Sequence, residues 1–368
     1  MSKNGLKFLD SDMHVIEPTD LWQRYIDPSY RERAPVGLAR YQQDLCVEID
    51  GEQIPRDVHD DLFEEKAGPL DAYRDPIDSG WDPASQVRAM DREGMDMALM
   101  YPSRGLFAVA TDKLDTGFGA AIARAYNDWM SDFCGAFPDR MKGVGMVYPI
   151  EVGEAAKEAR RCAGELGFRG VFLRPNLYLG RNWHDPYYDP LWEEMEGLDA
   201  AVGFHEGSHV PMTEAGSRFE GDYWLFHTCC HSMEMMLAAV SMIGGGVLER
   251  FPALRVAFLE ANCSWVPWLM WRMDDHFEFS GKMEAPGLSM TPGDYFKRQC
   301  YVSVEPEESP AAMVESYGLG DNLVLSTDYP HPDSKFPHAV DMFLELPLSE
   351  SVRRKTMWDN CARLYGMS

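Results

Sequence analysis

The sequence predicts a single closed (β/α)8 barrel, with long insertions after the first and fifth strands. Three observations predict it. Eight short apolar runs recur along the 368 residues, helix-like segments separate most of them, and no glycine-rich dinucleotide fingerprint follows any run. The first two imply parallel strands closing on themselves, and the third argues against an open doubly wound sheet.

The first run is "LKFLDSDMH", whose Asp10, Asp12 and His14 alternate and therefore face one side of a strand. "MDMALMYPS" (95–103) follows "PASQVRAMDREG", in which Val87 and Met90 fit one helical face. "KGVGMVYP" (142–149) follows an alanine-rich helical pattern ending at a Pro-Asp turn. "RGVFLRPN" (169–176) follows "VGEAAKEARRCAGELG", a helix closed by glycine. "AAVGFHEG" (200–207), "LRVAFLEAN" (254–262), "CYVSVEPE" (300–307) and "NLVLSTDYP" (322–330) complete the set. A helix is expected over "SMEMMLAAVSMIGGGVLERFP" and another over the closing "SESVRRKTMWDNCARLYG". Residues 20–80 and 207–230 break the alternation, directly after strand ends. Barrel loops at those ends build the active-site face, so both segments read as lid or substrate wall.

Charge narrows the partners. Thirty-four basic against 60 acidic residues leave a net charge of −26, a surface that repels nucleic acid and anionic membranes. No apolar leader and no run of 18 apolar residues occurs. Eight cysteines without a CxxC pair fit a reduced, cytoplasmic chain, in which Cys229 and Cys230 are paired thiols in the interior. The expected partner is a small molecule, and the expected assembly is a homodimer, the commonest oligomer. Trp265, Trp268 and Trp271, at spacing three on one helix, suit core or subunit contact.

The chemistry lies where the runs end. The first ends in Asp12 and His14, the fourth in Arg174 and Asn176, the fifth in His205, the sixth in Glu260, the seventh in Glu305 and the eighth in Asp328. In a barrel these ends converge on one rim. A ring of carboxylates and imidazoles in a dry cleft needs cations to coexist, and a divalent metal supplies the charge. Mixed nitrogen and oxygen donors suit zinc, manganese or iron, one or two ions per chain.

Together "DSDMHVIEP", "GVFLRPN", "GFHEG", "GGVLERFPALRVAFLEANCSWVPWL" and "LSTDYPHPD" resemble the metal-dependent amidohydrolase superfamily. The resemblance is to its decarboxylase-related branch, the amidohydrolase 2 family of aminocarboxymuconate semialdehyde decarboxylase and γ-resorcylate decarboxylase. It implies that Asp12 and His14 stand for the family's HxH or ExH ligand pair, that His205 is the ligand from the fifth strand, and that Asp328 binds metal or its water. Where the family commonly carries a proton-transferring histidine in an HGG context, this chain reads Glu260-Ala261-Asn262.

That substitution steers the expected reaction. A glutamate donates a proton only when burial or like charges raise its pKa, but it readily ligates a second ion. The reading is therefore a metal-dependent hydrolase with metal ligands Asp12, His14, His205, Asp328, Glu260 and Glu305. Asp328, Glu260 and His231 would act in catalysis, with His227 or His209 as other candidate shuttles. Arg174 and Asn176 would bind substrate, Arg174 by clamping a carboxylate. The alternative is a non-oxidative decarboxylase, and a third reading is a non-catalytic metal- or ligand-binding barrel.

Overall fold

The computed structural model describes every residue except 1, 2, 4, 42, 56–69, 208, 286 and 368. Twelve strands run in chain order: β1 (Leu9–His14), β2 (Val36–Gly37), β3 (Val47–Ile49), β4 (Glu52–Ile54), β5 (Met97–Tyr101), β6 (Met141–Gly143), β7 (Gly145–Met146), β8 (Gly170–Leu173), β9 (Ala201–His205), β10 (Arg255–Leu259), β11 (Cys300–Val304) and β12 (Leu323–Leu325). β1, β5 and β6 pair in parallel, as do β7 to β12 in sequence order. Val144 alone separates β6 from β7, and its amide bonds to Met100 of β5, so the two are one strand with a kink. The eight staves are those expected. Their apolar side chains are buried throughout β8, β9, β11 and β12, as suits parallel strands covered on both faces.

Helices cover the outside. Those used below are α1 (Pro83–Glu93), α2 (Thr116–Gly135), α3 (Val152–Gly164), α4 (Asp189–Gly197), α5 (Tyr223–Gly244), α6 (Val266–His276) and α7 (Pro292–Gln299). Local chemistry starts and stops them. Asp82 caps α1 through the Ser85 amide and Gly94 ends it in the left-handed region, while Asp115 caps α2 and Thr291 caps α7.

The insertions carry more structure than the sequence announces. Residues 20–80 contain a short helix, Leu21–Tyr25, the antiparallel sheet β2-β3-β4 and a helix over 70–78, while 56–69 lie outside the described residues. The second segment is shorter than expected. Asp222 accepts a hydrogen bond from the Leu225 amide and starts α5 at Tyr223, so residues 223–230 are helix, not loop.

Candidate metal centre

β1 does not run straight. Its register against β5 shifts between Asp10 and Met13. Such a bulge re-aims side chains, and the three ionisable groups divide. Asp10 turns to Thr327, accepting its hydroxyl at 2.5 Å, whereas Asp12 and His14 reach the barrel centre.

There, five side chains from four strand ends converge. His14 Nε2 lies 3.1 Å from His205 Nε2, 3.5 Å from Asp12 Oδ1 and 3.4 Å from Asp328 Oδ1. His205 Nε2 lies 3.3 Å from Asp12 Oδ1 and 3.1 Å from Glu260 Oε2. Donors bound to one ion at about 2.0–2.2 Å sit about 3 Å apart when adjacent, close to this spacing. Each ring is already oriented from behind: His14 Nδ1 is 2.7 Å from the Pro102 carbonyl and His205 Nδ1 is 2.7 Å from the Glu206 carbonyl. A proton on each Nδ1 turns both Nε2 lone pairs inward, the orientation metal-binding histidines take. Tyr101 stacks beneath His205 at 5.5 Å, and only a glycine at 203 leaves room, since a Cβ there would meet the Tyr101 hydroxyl.

Both oxygens of Asp12 and Oε2 of Glu260 are buried without a hydrogen bond, while Asp328 Oδ1 has the His331 ring beside it. Such orphans are costly in a dry interior unless something from outside completes them. The charges tell the same story. Burial, with Asp328 and Asp12 beside it, pushes Glu260 well above the usual carboxylate range. Burial also pushes Asp328 up to about 6, against the pull of His331. Burial keeps His14 well below the usual imidazole value, with His331 and His205 adding to it, so its lone pair is free to ligate. The donor set therefore fits a divalent transition-metal ion. Backbone strain marks the same carboxylates: Glu260 and Asp328 hold φ of +48° and +55°, a region non-glycine residues adopt at a cost where a site demands it.

Other expected residues fall elsewhere. Glu305 is not among the side chains brought within ligand distance; its carboxylate, raised first by burial and then by Asp328, faces a neighbouring acidic cavity. Neither Arg174 nor Asn176 lines the two cavities beside the centre. Arg174 is fully buried and donates to Glu206, Asn176, Leu106 O and Gly207 O, so the expected substrate clamp is spent on an internal ion pair. His231 Nδ1 stands 3.7 Å from Glu260 Oε1, and burial lowers its pKa well below the usual value. His227 packs against His231 at 4.7 Å, and His209 stacks on Phe226 away from the centre.

The sequence reading missed His331. Its Nδ1 lies 2.7 Å from Asp328 Oδ1 and its Nε2 2.9 Å from Ser103 Oγ. Burial opposes a charge on this ring, but Asp328 outweighs it and lifts its pKa. Ser103 is held in turn by the buried carboxylate of Glu17, which accepts from the amides of Ser103, Arg104 and Gly105. The available signal was spacing, since His331 falls three residues after Asp328 in "STDYPHPD".

A cavity of about 340 Å³ opens above the centre. Glu260, His231 and His331 form its polar end, while Leu106, Phe107, Tyr223 and Trp224 supply apolar wall. A second cavity of about 500 Å³, lined by Glu305, Asn262 and Asp328, meets the first at His227, His231 and Glu260.

The amidohydrolase family profile matches residues 10–367. A 2-amino-3-carboxymuconate-6-semialdehyde decarboxylase from Dictyostelium discoideum is 31% identical over 79% of this chain and 79% of its own length. A γ-resorcylate decarboxylase from a Polaromonas species is 26% identical over 77% of this chain and 87% of its own. The crystal structure of a dihydroxybenzoic acid decarboxylase from Polaromonas, with manganese and the inhibitor 2-nitroresorcinol bound, superposes with a TM-score of 0.71 at 20% identity, covering 98% of this chain and 97% of that one. These relatives are decarboxylases, and they stand behind the decarboxylase alternative, not the hydrolytic reading that Glu260 suggested.

Proposed function

Because the chain belongs to the amidohydrolase family, we propose that this enzyme is a metal-dependent, non-oxidative decarboxylase of a small carboxylated aromatic or enoic acid. The observation that carries the reading is the 2.7 Å contact of Asp328 with His331 beside unsatisfied carboxylates, with His331 at the polar end of the apolar-walled cavity and Asp328 lining the cavity that adjoins it.

Asp12, His14 and His205 would hold the ion, with Asp328 or Glu260 completing the shell. When bound, the ion supplies positive charge that anchors an anionic substrate and draws electron density from it. Without it, a chain of net charge −26 would repel a carboxylate. The apolar wall takes the ring or chain of the substrate and directs its carboxylate toward the polar end. Asp328, held against His331 at 2.7 Å, delivers a proton to the carbon that bears the carboxylate. The carbon–carbon bond then breaks, its electron pair restoring the double bond that took up the proton while carbon dioxide leaves. Ser103 and Glu17 keep His331 aimed at Asp328.

Glu260 fits this reaction as well as it fits hydrolysis. Burial and the surrounding carboxylates favour its protonated form, which restores the donor that the family's histidine would supply. His231, kept neutral, is placed to accept a hydrogen bond from a substrate hydroxyl. The segments 20–80 and 207–230 act as lid and wall: Tyr41 and Leu45 from the first and Tyr223 and Trp224 at the end of the second line the cavity. The chain assembles as a homodimer in a reducing compartment. Eight thiols without disulfides support the compartment, and exposed Trp268, Trp271, Phe279 and Met283 support an apolar face covered by a second copy.

The deciding experiment supplies manganese-loaded enzyme with hydroxybenzoates and with amides, esters and lactones. Carbon dioxide released from an ortho-hydroxylated aryl acid is expected. Turnover of a lactone or amide with no carbon dioxide from any acid would return the hydrolytic reading.

A further inference from the structure

We propose that Asp10 and Thr327 are positioning residues for the metal centre, locking β1 to the end of β12 and so fixing the separation of Asp12 from Asp328. The inference rests on the assignment of those two carboxylates to the centre, not on the reaction carried out there.

Among the described residues β1 and β12 meet without a backbone ladder, apart from the His14 amide bonded to the Tyr329 carbonyl at 2.7 Å. Side chains close the gap. Asp10 Oδ1 accepts from the Asp12 amide at 3.0 Å and from the Thr327 amide at 3.3 Å, while Oδ2 accepts the Thr327 hydroxyl at 2.5 Å. Ser11 Oγ adds a bond to the Leu325 carbonyl at 2.7 Å. One buried carboxylate thus grips the backbone of one ligand and the residue preceding another. Thr327 Oγ1 also accepts from the Tyr329 amide at 3.4 Å, which straddles Asp328 in its left-handed conformation. A non-glycine residue keeps such a φ only where its surroundings over-determine it. Asp10 lines neither cavity described above, and Thr327, which lines the second, spends its hydroxyl proton on Asp10, so the pair acts through Asp12 and Asp328.

The test uses the full chain stripped with a chelator. Manganese affinity is measured by calorimetry for the wild type, Thr327→Val, Thr327→Ser and Asp10→Asn, with the melting temperature of each stripped protein in parallel. Thr327→Val and Asp10→Asn should bind about 10- to 100-fold more weakly, the range typical of groups that orient ligands. Thr327→Ser, which keeps the hydroxyl, should bind like the wild type, and stripped Thr327→Val should still melt cooperatively. Wild-type affinity in both Thr327→Val and Asp10→Asn would overturn the inference alone. So would affinity lost only in step with a lost melting transition, because the pair would then merely hold the barrel. A wild-type chain that takes up no manganese would overturn the centre itself, and this inference with it.

Discussion

Two buried carboxylate clusters lie side by side at the barrel rim, one finished and one unfinished. Around Glu206 the polar atoms satisfy each other: Arg174 and Asn176 fill both carboxylate oxygens, and Gly207 N and Thr213 Oγ1 add to them. Around Asp12, three carboxylate oxygens, two of its own and Oε2 of Glu260, face two imidazole lone pairs with no hydrogen bond. The first cluster holds the protein together, and breaking it should show as lost stability. The second stores a deficit of positive charge that only something from outside relieves, so breaking it should show as lost binding or turnover.

The largest expected effect tests the second cluster. Asp328→Asn removes the proposed proton donor while keeping its shape, and kcat for carbon dioxide release should fall about 10³-fold, within the usual range for a general acid. Steady-state kinetics with KM followed alongside would check it, and retained turnover would move the acid to another residue. Arg174→Met tests the finished cluster. Stranding Glu206 should cost about 3–5 kcal/mol in chemical denaturation, and adding Glu206→Leu should recover much of it.

Acidity separates the clusters further. In metal-free protein the folded value of Asp328, about 6, lies above the ordinary 3.8, so between these values the folded chain keeps a proton that the unfolded chain has released. Its contribution is complete below about pH 4 and lost as pH rises through 6, about 3 kcal/mol in all. Denaturation at stepped pH should reveal that fall, and saturating manganese should flatten it. Manganese at a hundred times its dissociation constant should itself stabilise the chain by about 2.7 kcal/mol, an increment that His14→Ala should erase. The smallest effect concerns the lid. Gln43 donates to the Pro330 carbonyl at 2.8 Å, and Gln43→Ala should cost about 1 kcal/mol and raise KM a few-fold.

Much of the barrel was legible because parallel strands bury both faces and so read as continuous apolar runs. Leu9–His14, Met97–Tyr101 and Ala201–His205 fall inside the runs that predict them. That Asp12, His14, His205, Glu260 and Asp328 meet was legible for a related reason, since a barrel brings every strand end to one rim. Arg174 was misread because charge and position are in the sequence but the partner is not: Glu206 sits on the next strand's loop. Glu305 ends its strand as those residues do, yet that end turns toward the acidic cavity. His331 lies in a loop, where no period announces direction. The small sheet β2-β4 went unread because strands of two or three residues are too short to show alternation.

Closing the barrel through Asp10 and Thr327 also sets a clock. The bond from Ser326 to the Asp12 carbonyl joins residues 314 apart in sequence. At about 5–20 residues per second, a ribosome needs roughly 15 to 60 s to travel from Asp12 to Asp328. Throughout that interval the growing chain carries Asp12 and His14 without their partners, and it can offer a passing ion no complete shell. The five side chains can therefore meet only after translation has delivered the last strand.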